Sequence, residues 1–482
     1  MDGILLVDGP SPRPVAVCPL GIRYLAASAA AAGIPVRLLQ LERGHGPHVA
    51  QALSAEVAAV RPALVGLPLY TETALRTYEI VRELGPCPGL IRVAGGPHAT
   101  ACPEEALAGG FDVVVLGEGE ETLVDLFQAI RRGTELGNVK GLAYRDASGS
   151  MRRTAARKLP QDLDRLPSPE QAPNMEGCMN DRSAESSSAL PASLVTSRGC
   201  PGRCSFCSSF VSGRRYRFHS VKRVIADMRA LHERKATSTF LFHDDAFTAH
   251  RPRLLELCSH IADLPFAASW LCEARADQLD DERAKAMARA GCTTVIVGVE
   301  SGDPAVLRRI RKGITLETAE RGIRAIRGAG MRTQVNFMFG FPGETAAEID
   351  NSLSFMERIA PLADGLSAMG IVIPYPGTRL YQQHHRWYGF TRWWLDEARM
   401  AALHASALCT GQARIQTCED AVSLHGEMER TIIEAGLIRY SKDVLRAIDR
   451  CLAFKREHNL RALQRMMRIP EPGLGKGHLV PI

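Results

Sequence analysis

The stretch "SRGCPGRCSFCSS", residues 197–209, places Cys200, Cys204 and Cys207 at the spacing C-x3-C-x2-C. A structural zinc site takes four ligands, so zinc would have to recruit a remote cysteine or histidine. A [4Fe–4S] cluster has four iron corners, which four cysteines normally close. Three cysteines leave one iron open, and an open position is what a metal centre needs for chemistry on a bound substrate. The triplet therefore predicts a catalytic cluster, with zinc as the alternative.

The segment around the triplet, residues 191–381, alternates strand-like and helix-like stretches. Six apolar runs are predicted as strands, namely Ser193–Arg198, Thr239–Asp244, Ala267–Glu273, Thr294–Glu300, Thr333–Gly340 and Gly365–Pro374. Such a succession of βα units favours a partial (β/α)6 barrel of the TIM type over a second Rossmann-like sheet. The triplet then follows the carboxyl end of the first strand, and barrel enzymes hold their active sites at that face.

Residues 1–145 show another alternating series. Strands are predicted at residues 4–8, 36–41, 63–69, 91–95 and 113–117, and helices at residues 21–32, 49–60, 73–84 and 121–131. This order, with short connections, predicts a Rossmann-like, doubly wound parallel sheet. Residues 146–190 are rich in Pro, Ser and Asp and are predicted to be a linker, and residues 382–482 are mostly helical in pattern. The predicted fold class is α/β.

The composition is that of an ordinary globular enzyme. Apolar residues make up 45% and charged residues 23% of the 482 residues, and the net charge is +6. That charge is slight for this length, so neither nucleic acid nor an anionic membrane is expected as a partner. No apolar run reaches the roughly 18 residues of a membrane span. The acidic Asp2 does not suit a signal peptide, so a cytoplasmic location is expected.

Four further motifs end successive predicted barrel strands, and with the cysteine loop they resemble the radical S-adenosylmethionine (SAM) superfamily. They are "FLFHDDAFT" (240–248), "VIVGVESG" (295–302), "NFMFGFPGET" (336–345) and "IPYPGTRLY" (373–381). The N-terminal motifs "GLPLYT" (66–71), "AGGPHAT" (94–100) and "LGEGEET" (116–122) resemble the cobalamin-binding domain of the B12-dependent subclass. The resemblance implies three cofactors, namely a [4Fe–4S] cluster, SAM and cobalamin.

The resemblance also implies roles for residues at the barrel's strand ends. The three cysteines would hold the cluster as its catalytic metal ligands, and SAM would fill the open iron. The residues expected to contact SAM are Phe206, Gly340, Pro342 and Gly343 at the adenine, Asp244 and Asp245 at the ammonium group, and Glu300 and Ser301 at the ribose and carboxylate. Ordinary packing is the alternative for Phe206, a helix cap for Asp245, and loop geometry for Pro342.

The three N-terminal motifs lie beyond the carboxyl ends of their strands, where ligands bind in open α/β sheets. The residues expected to contact cobalamin are Leu69, Tyr70, Thr71, Gly95, Gly96, His98, Gly117, Glu118, Gly119 and Glu120. Many cobalamin domains carry D-x-H-x-x-G after the first strand, but Asp8 has no histidine two positions on. We therefore expect an empty or water-bound lower face of cobalt, near Tyr70. For His98, local hydrogen bonding is expected, with a role as substitute cobalt ligand as the alternative.

The resemblance implies a cobalamin-dependent radical SAM methyltransferase. One SAM would methylate cobalamin, and a second would yield the 5′-deoxyadenosyl radical that activates an unreactive carbon. The substrate would be a small molecule of secondary metabolism, such as an antibiotic precursor, or a lipid. A flavodoxin or ferredoxin system would supply the electron. The alternatives are oxidative cyclisation or rearrangement on the same domains, methylthio transfer, and a non-catalytic metal-binding module.

The C-terminal region, residues 382–482, is expected to recognise the substrate. Core packing is expected for Trp387, Tyr388, Trp393 and Trp394, with the lining of a substrate pocket as the alternative. From residue 439 to residue 468, nine Lys or Arg stand against three Asp or Glu. This pattern indicates the solvated side of an amphipathic helix, with a site for an anionic partner as the alternative.

Overall fold

The structure is a computed structural model and describes residues 3–9, 19–41, 48–85, 87–173, 191–366, 370–405 and 417–468. Two large sheets, one in each half of the chain, organise these residues. Helices cover the sheets, as strands with apolar side chains on both faces require. The predicted α/β fold class is confirmed. None of the helices in the described ranges is long and apolar enough to cross a bilayer.

The N-terminal sheet contains seven strands, β1 (Ile4–Asp8), β2 (Val36–Gln40), β3 (Leu64–Pro68), β4 (Ile91–Gly95), β5 (Val113–Val115), β6 (Leu142–Arg145) and β7 (Met151–Arg153). Their order is β2-β1-β3-β4-β5-β6-β7, and the first five run parallel in a doubly wound, flavodoxin-like arrangement. Ile4 and Leu6 of β1 enter one apolar core and Leu5 and Val7 enter the other. The predicted Rossmann-like sheet is confirmed.

Helices lie on both faces of this sheet: α1 (Leu20–Ala31), α2 (His48–Val60), α3 (Ala74–Leu84), α4 (Pro97–Ala101), α5 (Pro103–Ala108) and α6 (Glu120–Arg132). α1 and α6 contact each other over one core, and α2 and α3 contact each other over the other. The four predicted helices differ from α1, α2, α3 and α6 by at most one residue at either end. Their apolar periodicity was thus sufficient to set their bounds.

The N-terminal sheet extends beyond residue 145, where the sequence predicts the domain to end. β6 and β7 form an antiparallel hairpin that continues the sheet to Arg153. Asp146 closes its turn by accepting the backbone N–H groups of Ser148 at 3.0 Å and Ser150 at 3.1 Å. The predicted start of the linker is therefore wrong, because these polar residues form a hairpin turn. Residues 174–190 of that linker lie outside the described residues.

The second sheet contains six parallel strands, β8 (Ala192–Leu194), β11 (Thr239–Phe242), β12 (Ser269–Arg275), β13 (Cys292–Glu300), β14 (Arg332–Phe337) and β15 (Gly365–Leu366). They pair in chain order, with β8 at one end and β15 at the other. Between β8 and β11 the chain forms a separate antiparallel ribbon of β9 (Ser197–Arg198) and β10 (Arg217–Phe218). The predicted partial (β/α)6 barrel is confirmed, although β15 is much shorter than the predicted last strand.

The barrel helices are α7 (Val221–Lys235), α8 (Arg251–Ala262), α9 (Asp281–Arg289), α10 (Pro304–Arg309), α11 (Leu316–Gly328) and α12 (Ala346–Ile359). A capping box starts α12 directly after the motif "FGFPGET". Thr345 accepts the backbone N–H of Glu348, and the Glu348 carboxylate accepts the N–H of Thr345 at 2.8 Å. The cap fixes where the motif ends and the helix begins.

The C-terminal region contains α13 (Arg379–His384), α14 (Glu397–Leu403), α15 (Cys418–Glu434) and α16 (Lys442–Arg468). α16 packs against α12 and β15. Asn459 accepts the N–H of Leu366 at 2.8 Å and donates to its carbonyl at 2.9 Å. The side chain thus satisfies backbone groups of an end strand that would otherwise be open to pairing.

A buried ion pair joins the last two helices. The side chains of Lys455 and Glu429 bond to each other and are 1% and 0% exposed. Glu429 also accepts the N–H of Gly370 at 3.4 Å. Burial raises the pKa of the Glu429 carboxyl and lowers the pKa of the Lys455 amine, and the attraction between the two groups opposes both shifts. Each charged side chain therefore needs the other as its partner, because neither can be solvated by water in the interior.

We predict that Glu429→Leu destabilises the chain by about 3–5 kcal/mol, because it leaves the Lys455 ammonium buried without its carboxylate. The double variant Glu429→Leu/Lys455→Met should recover most of this loss, since apolar side chains then replace the pair. Thermal unfolding followed by circular dichroism measures both effects. A double variant that loses as much as the two single variants together would contradict the coupling.

Candidate functional site

The ribbon of β9 and β10 holds together the two ends of the cysteine loop, residues 199–216. Arg198 pairs with Arg217 in its ladder, so the loop starts and ends at neighbouring positions. Gly199 has φ +84°, and a Cβ there would lie 2.4 Å from the carbonyl oxygen of Arg215. Within the loop, Ser205 donates its N–H to Ile310 at 2.8 Å and accepts the N–H of Leu380 at 2.7 Å. The loop is therefore fixed both at its ends and against the barrel.

The three cysteines lie on this loop at different depths. Cys200 and Cys204 are half-buried and Cys207 is exposed. The sulfurs of Cys200 and Cys204 lie 3.2 and 3.9 Å from the position that a Cβ on Gly202 would take. Burial raises the pKa of the Cys200 and Cys204 thiols. The positive charge of Arg275 opposes that rise at Cys200 and Cys204. A cation therefore lies where it would stabilise the thiolate forms that bind metal.

The surroundings of the triplet suit a cluster better than a single ion. In the part of the chain that the structure describes, no three Cys, His, Asp or Glu side chains converge as the ligands of one metal ion do. The remote ligand that a zinc site would recruit is therefore not brought to the triplet there. The soft thiolate set, the missing side chain at Gly202 and the nearby Arg275 fit a [4Fe–4S] cluster.

Phe206 and the loop "FGFPG" come together, as the sequence predicts for two parts of one adenine site. The rings of Phe206 and Phe341 have centroids 5.7 Å apart. Gly340 has φ +82° and Gly343 has φ +77°, values that favour glycine. The hydroxyl of Tyr440, just before α16, lies against Gly340. Adenine contact at Phe206, Gly340 and Pro342 stays a prediction.

The neighbouring aspartates have different surroundings. Asp244 is buried, and its carboxylate accepts the N–H of Thr196 at 2.6 Å, the hydroxyl of Thr196 at 2.6 Å and that of Ser197 at 2.5 Å. Both its oxygens are thus used in joining β11 to the start of the ribbon, which argues against a SAM ammonium contact. Asp245 is exposed and accepts the N–H of Gly199 at 3.2 Å. It is not a helix cap, because His250 caps α8.

Glu300 ends β13 in a strained conformation. Its φ is +76°, and the pairing register with β14 shifts between Gly298 and Glu300. The Glu300 carboxylate accepts a bond from the Lys312 ammonium at 2.8 Å. A Cβ on Gly298 would lie 2.4 Å from the Glu300 carboxylate oxygen, so this pair requires a glycine beside it. A contact of Glu300 with the SAM ribose stays a prediction.

Ser301 serves the fold. Its side chain is fully buried, lies 3.1 Å from the Ser352 hydroxyl and accepts the N–H of Asp303 at 3.1 Å. The hydroxyl is turned into the interface with α12, which argues against the predicted SAM contact, and that contact stays a prediction. A position at the end of a strand did not reveal the direction of the side chain.

Glu344 is a site residue that the sequence reading missed. It is buried, and its Oε2 accepts the N–H of Gly340 at 2.7 Å and the N–H of Phe341 at 3.0 Å. Burial raises the pKa of the Glu344 carboxyl to about 7. The sequence feature that could have identified Glu344 is its position directly after the glycine turn in "FGFPGET". An acidic side chain at that position can accept hydrogen bonds from the backbone of the turn.

In the first domain, the loops after β3 and β4 are bonded to each other. Leu69 donates its N–H to Gly95 at 2.7 Å and accepts the N–H of His98 at 3.1 Å. Gly96 has φ +97° and passes close to Leu69. Tyr70 is 39% exposed at this edge. The structure therefore brings together this half of the predicted cobalamin set, and contact with the cofactor stays a prediction.

His98 has local partners for both ring nitrogens. Nδ1 lies 3.1 Å from the Thr71 hydroxyl, and Nε2 lies 3.1 Å from the Glu105 carboxylate. The ring is buried and makes an edge contact with Trp394. The structure favours local hydrogen bonding over ligation of cobalt, since ligation would cost one of these bonds.

Glu118, Gly119 and Glu120 have partners within the chain. Glu118 bonds to Arg217, and Glu120 bonds to Arg198. A Cβ on Gly119 would lie 3.0 Å from the Leu25 side chain of α1, so this glycine permits helix packing. These ion pairs argue against a cobalamin contact by the two carboxylates. Contact of Glu118, Gly119 and Glu120 with the cofactor stays a prediction.

The C-terminal aromatic residues are mostly part of the core. Trp393 and Trp394 are buried, and their indole N–H groups donate to Pro374 and Glu105 at 2.9 and 2.7 Å. Trp387 is 88% exposed. The expected core packing is confirmed for Trp393 and Trp394.

Two sequence profiles match the chain in the order of its domains. The profile "B12 binding domain" matches residues 14–127, and "Radical SAM superfamily" matches residues 194–356. The "Uncharacterized methyltransferase PH0819" of Pyrococcus horikoshii is 33% identical over 328 residues, which cover 67% of this chain and 69% of the relative. The chain belongs to the B12-dependent radical SAM enzymes.

Two further similarities agree with this family. The anaerobic magnesium-protoporphyrin IX monomethyl ester cyclase of Rubrivivax gelatinosus is 28% identical over 342 residues, which cover 68% of this chain and 59% of the cyclase. The structure of the radical SAM methyltransferase TsrM from Kitasatospora setae matches with a TM-score of 0.66 at 22% identity, over 80% of this chain and 77% of TsrM, and shows a common fold. Membership implies a [4Fe–4S] cluster, SAM and cobalamin as cofactors of this radical SAM enzyme.

We predict that Gly199→Ala weakens the cysteine loop by about 2–4 kcal/mol, because it adds a left-handed strain and a clash with the Arg215 carbonyl. Iron bound per chain after anaerobic reconstitution should fall. Gly149→Ala is the matched control, since Gly149 also has a positive φ (+79°) but nothing within 4 Å of its Cβ position. Equal iron content in the two variants would contradict the role of Gly199.

We predict that Glu344→Gln removes a pH-dependent loss of stability. A carboxyl whose pKa rises from 4.5 to about 7 on folding opposes folding once it ionises, so stability falls as the pH rises through this window. The gain of the variant over the parent should therefore grow to the order of 3 kcal/mol between about pH 5 and about pH 8.

Thermal unfolding at several pH values measures this difference. Glu348→Gln is the control of opposite sign, because the Arg309 guanidinium lowers the pKa of the Glu348 carboxyl. That variant should lose stability relative to the parent as the pH rises toward 4.5, the ordinary pKa of the carboxyl, and the difference should then stay constant between about pH 5 and about pH 8. A constant difference between Glu344→Gln and the parent across the range would refute the assignment.

Proposed function

We propose that this B12-dependent radical SAM enzyme transfers a methyl group from cobalamin to an unactivated carbon of a small molecule. The observation that carries this proposal is the contact between the cysteine loop and the strand ends of the cobalamin domain. A Cβ on Gly117 would lie 4.0 Å from the Val211 carbonyl oxygen. A Cβ on Gly377 would meet the Phe210 ring at 2.7 Å and the Ala101 side chain at 3.0 Å.

Such proximity suits methyl transfer, because a radical source and a methyl donor must reach the same carbon. When bound, the cluster and SAM supply a 5′-deoxyadenosyl radical, and cobalamin supplies the methyl group. The chain's own residues hold the two loops together and shield the space between them from water. Trp394 bridges the halves at Glu105, and Tyr375 does so at Glu72.

The relative PH0819, which carries the name of a methyltransferase, adds to this support. We assign the substrate to secondary metabolites or lipids, the electron to a flavodoxin or ferredoxin, and the location to the cytoplasm. The small net charge of +6 supports a small-molecule substrate over nucleic acid. Oxidative cyclisation or rearrangement is the second candidate, because the cyclase of Rubrivivax gelatinosus aligns with 68% of this chain.

Anaerobic reconstitution with cobalamin, SAM carrying a deuterated methyl group, and a one-electron reductant tests the proposal. With pools of small metabolites, we expect S-adenosylhomocysteine, 5′-deoxyadenosine and a product that carries the label. Cys204→Ala should abolish 5′-deoxyadenosine, since one iron ligand is gone, whereas Cys87→Ala should leave it unchanged. Formation of 5′-deoxyadenosine with an unlabelled, oxidised product would support cyclisation and overturn methyl transfer.

A further inference from the structure

A buried charge cluster connects the cobalamin domain to the cysteine loop. It consists of Glu118, Glu120, Arg198 and Arg217, and we call it the clamp. Arg217 Nη1 lies 3.0 Å from Glu118 Oε2, Arg198 Nη2 lies 2.7 Å from Glu120 Oε1, and Arg198 Nη1 lies 3.5 Å from Glu118 Oε2. The four side chains are between 1% and 12% exposed. Two guanidinium groups and two carboxylates thus neutralise each other away from water.

The carboxylates and the guanidinium groups come from different halves of the chain. Glu118 and Glu120 lie between β5 and the first turn of α6 in the cobalamin domain. Arg198 and Arg217 are directly paired in the ribbon of β9 and β10, so they stand at the two ends of the cysteine loop. Arg198 is only two residues before Cys200. The glutamates of the cobalamin domain therefore bind both ends of the cysteine loop through Arg198 and Arg217.

Other partners of the arginines connect the same parts. Arg217 also donates to the carbonyl of Ser212 within the loop at 2.9 Å and to that of Pro160 at 3.0 Å. The Arg198 guanidinium lies over the Tyr24 ring of α1, 4.7 Å from its centroid. Every nitrogen–oxygen bond here is directional, and removal of one partner leaves a buried charge uncompensated.

We propose that the clamp is a positioning device that sets the place of the iron–sulfur cluster relative to cobalamin. On this view the two glutamates act on the cysteine loop through Arg198 and Arg217 and make no contact with cobalamin. A ribbon of two residue pairs is too short to hold a loop by itself, so its ends need support from outside. The inference rests on the proposed function, in which both cofactors act on one substrate carbon.

The test compares Glu118→Gln with Glu121→Gln in the full chain. Glu121 lies in the same motif, but its side chain is 50% exposed and pairs with Arg157 at 3.3 Å on the outside. In Glu118→Gln a chelator should strip iron from the reconstituted protein at least about tenfold faster than in the parent, because a buried charge pair is broken. The electron paramagnetic resonance spectrum of the reduced cluster with SAM should broaden. Glu121→Gln should match the parent in both measurements.

Binding of hydroxocobalamin to the same variants separates the two roles of Glu118. The clamp requires an affinity for cobalamin within about twofold of the parent, since no contact with that cofactor is lost. Weaker cobalamin binding with unchanged iron retention would overturn the proposal and restore Glu118 as a cobalamin contact. Unchanged values of both quantities would overturn it as well, because the clamp would then be inert.

A second variant covers a failure of Glu118→Gln to fold. Arg217→Lys keeps the positive charge but loses the paired guanidinium geometry, so iron loss should be faster than in the parent and slower than in Arg217→Gln. Identical loss rates for Arg217→Lys and the parent would count against the clamp. None of these measurements requires methyl transfer, so they stand or fall independently of the proposed function.

Discussion

The site depends on keeping the two ends of one loop together. All three cysteines lie between β9 and β10, and these strands share only two residue pairs. A ribbon of this length has little stability of its own. Three other parts of the chain supply what it lacks: Asp244 at the end of β11, the glutamates after β5, and the backbone at Ile310. The cysteine loop is therefore a product of both domains.

Charged contacts at a domain interface cost desolvation, so their presence needs a physical reason. Apolar packing between the domains would contribute as much stability and would tolerate small rotations. The Glu118–Arg217 pair is bidentate and accepts only a narrow range of orientations. The proposed methyl transfer requires two cofactors to be set at a defined separation, and directional contacts meet that requirement better than apolar ones.

The sequence was sufficient to predict a parallel sheet in each half of the chain and four helices of the first domain. These features follow from local periodicity and from short connections. It was also sufficient to place the cysteines at a strand end. It was not sufficient for Asp244, Ser301, Glu118 or Glu120, whose side chains turn to partners 47 to 99 residues away. A strand-end position is set locally, whereas the direction of a side chain there is set by distant segments.

The same distinction explains the error at the first domain boundary. The stretch after Arg145 has the polar composition of a linker, and a hairpin turn has that composition too. Only the pairing of Ala143 with Arg153 shows which of the two is present. His98 is a related case, because a loop histidine near a cofactor site and a histidine bonded to Glu105 look alike in sequence.

The barrel side of the cysteine loop shows a second arrangement of charges that complements the first. Glu300 has a left-handed backbone, which persists only where surrounding contacts determine it. Lys312 supplies one such contact, and Arg275 in turn donates to the Lys312 carbonyl at 2.9 Å. Residue 312 is two positions from Ile310, which bonds the cysteine loop. The strained end of β13 is thus connected to the cysteine loop through Lys312 and Ile310. The cysteine loop is held from the cobalamin side through paired arginines and from the barrel side through the Ile310 carbonyl. Lys312 and Arg275 also place positive charge beside the cysteine thiols of that loop, whose thiolate forms would make a bound cluster negative.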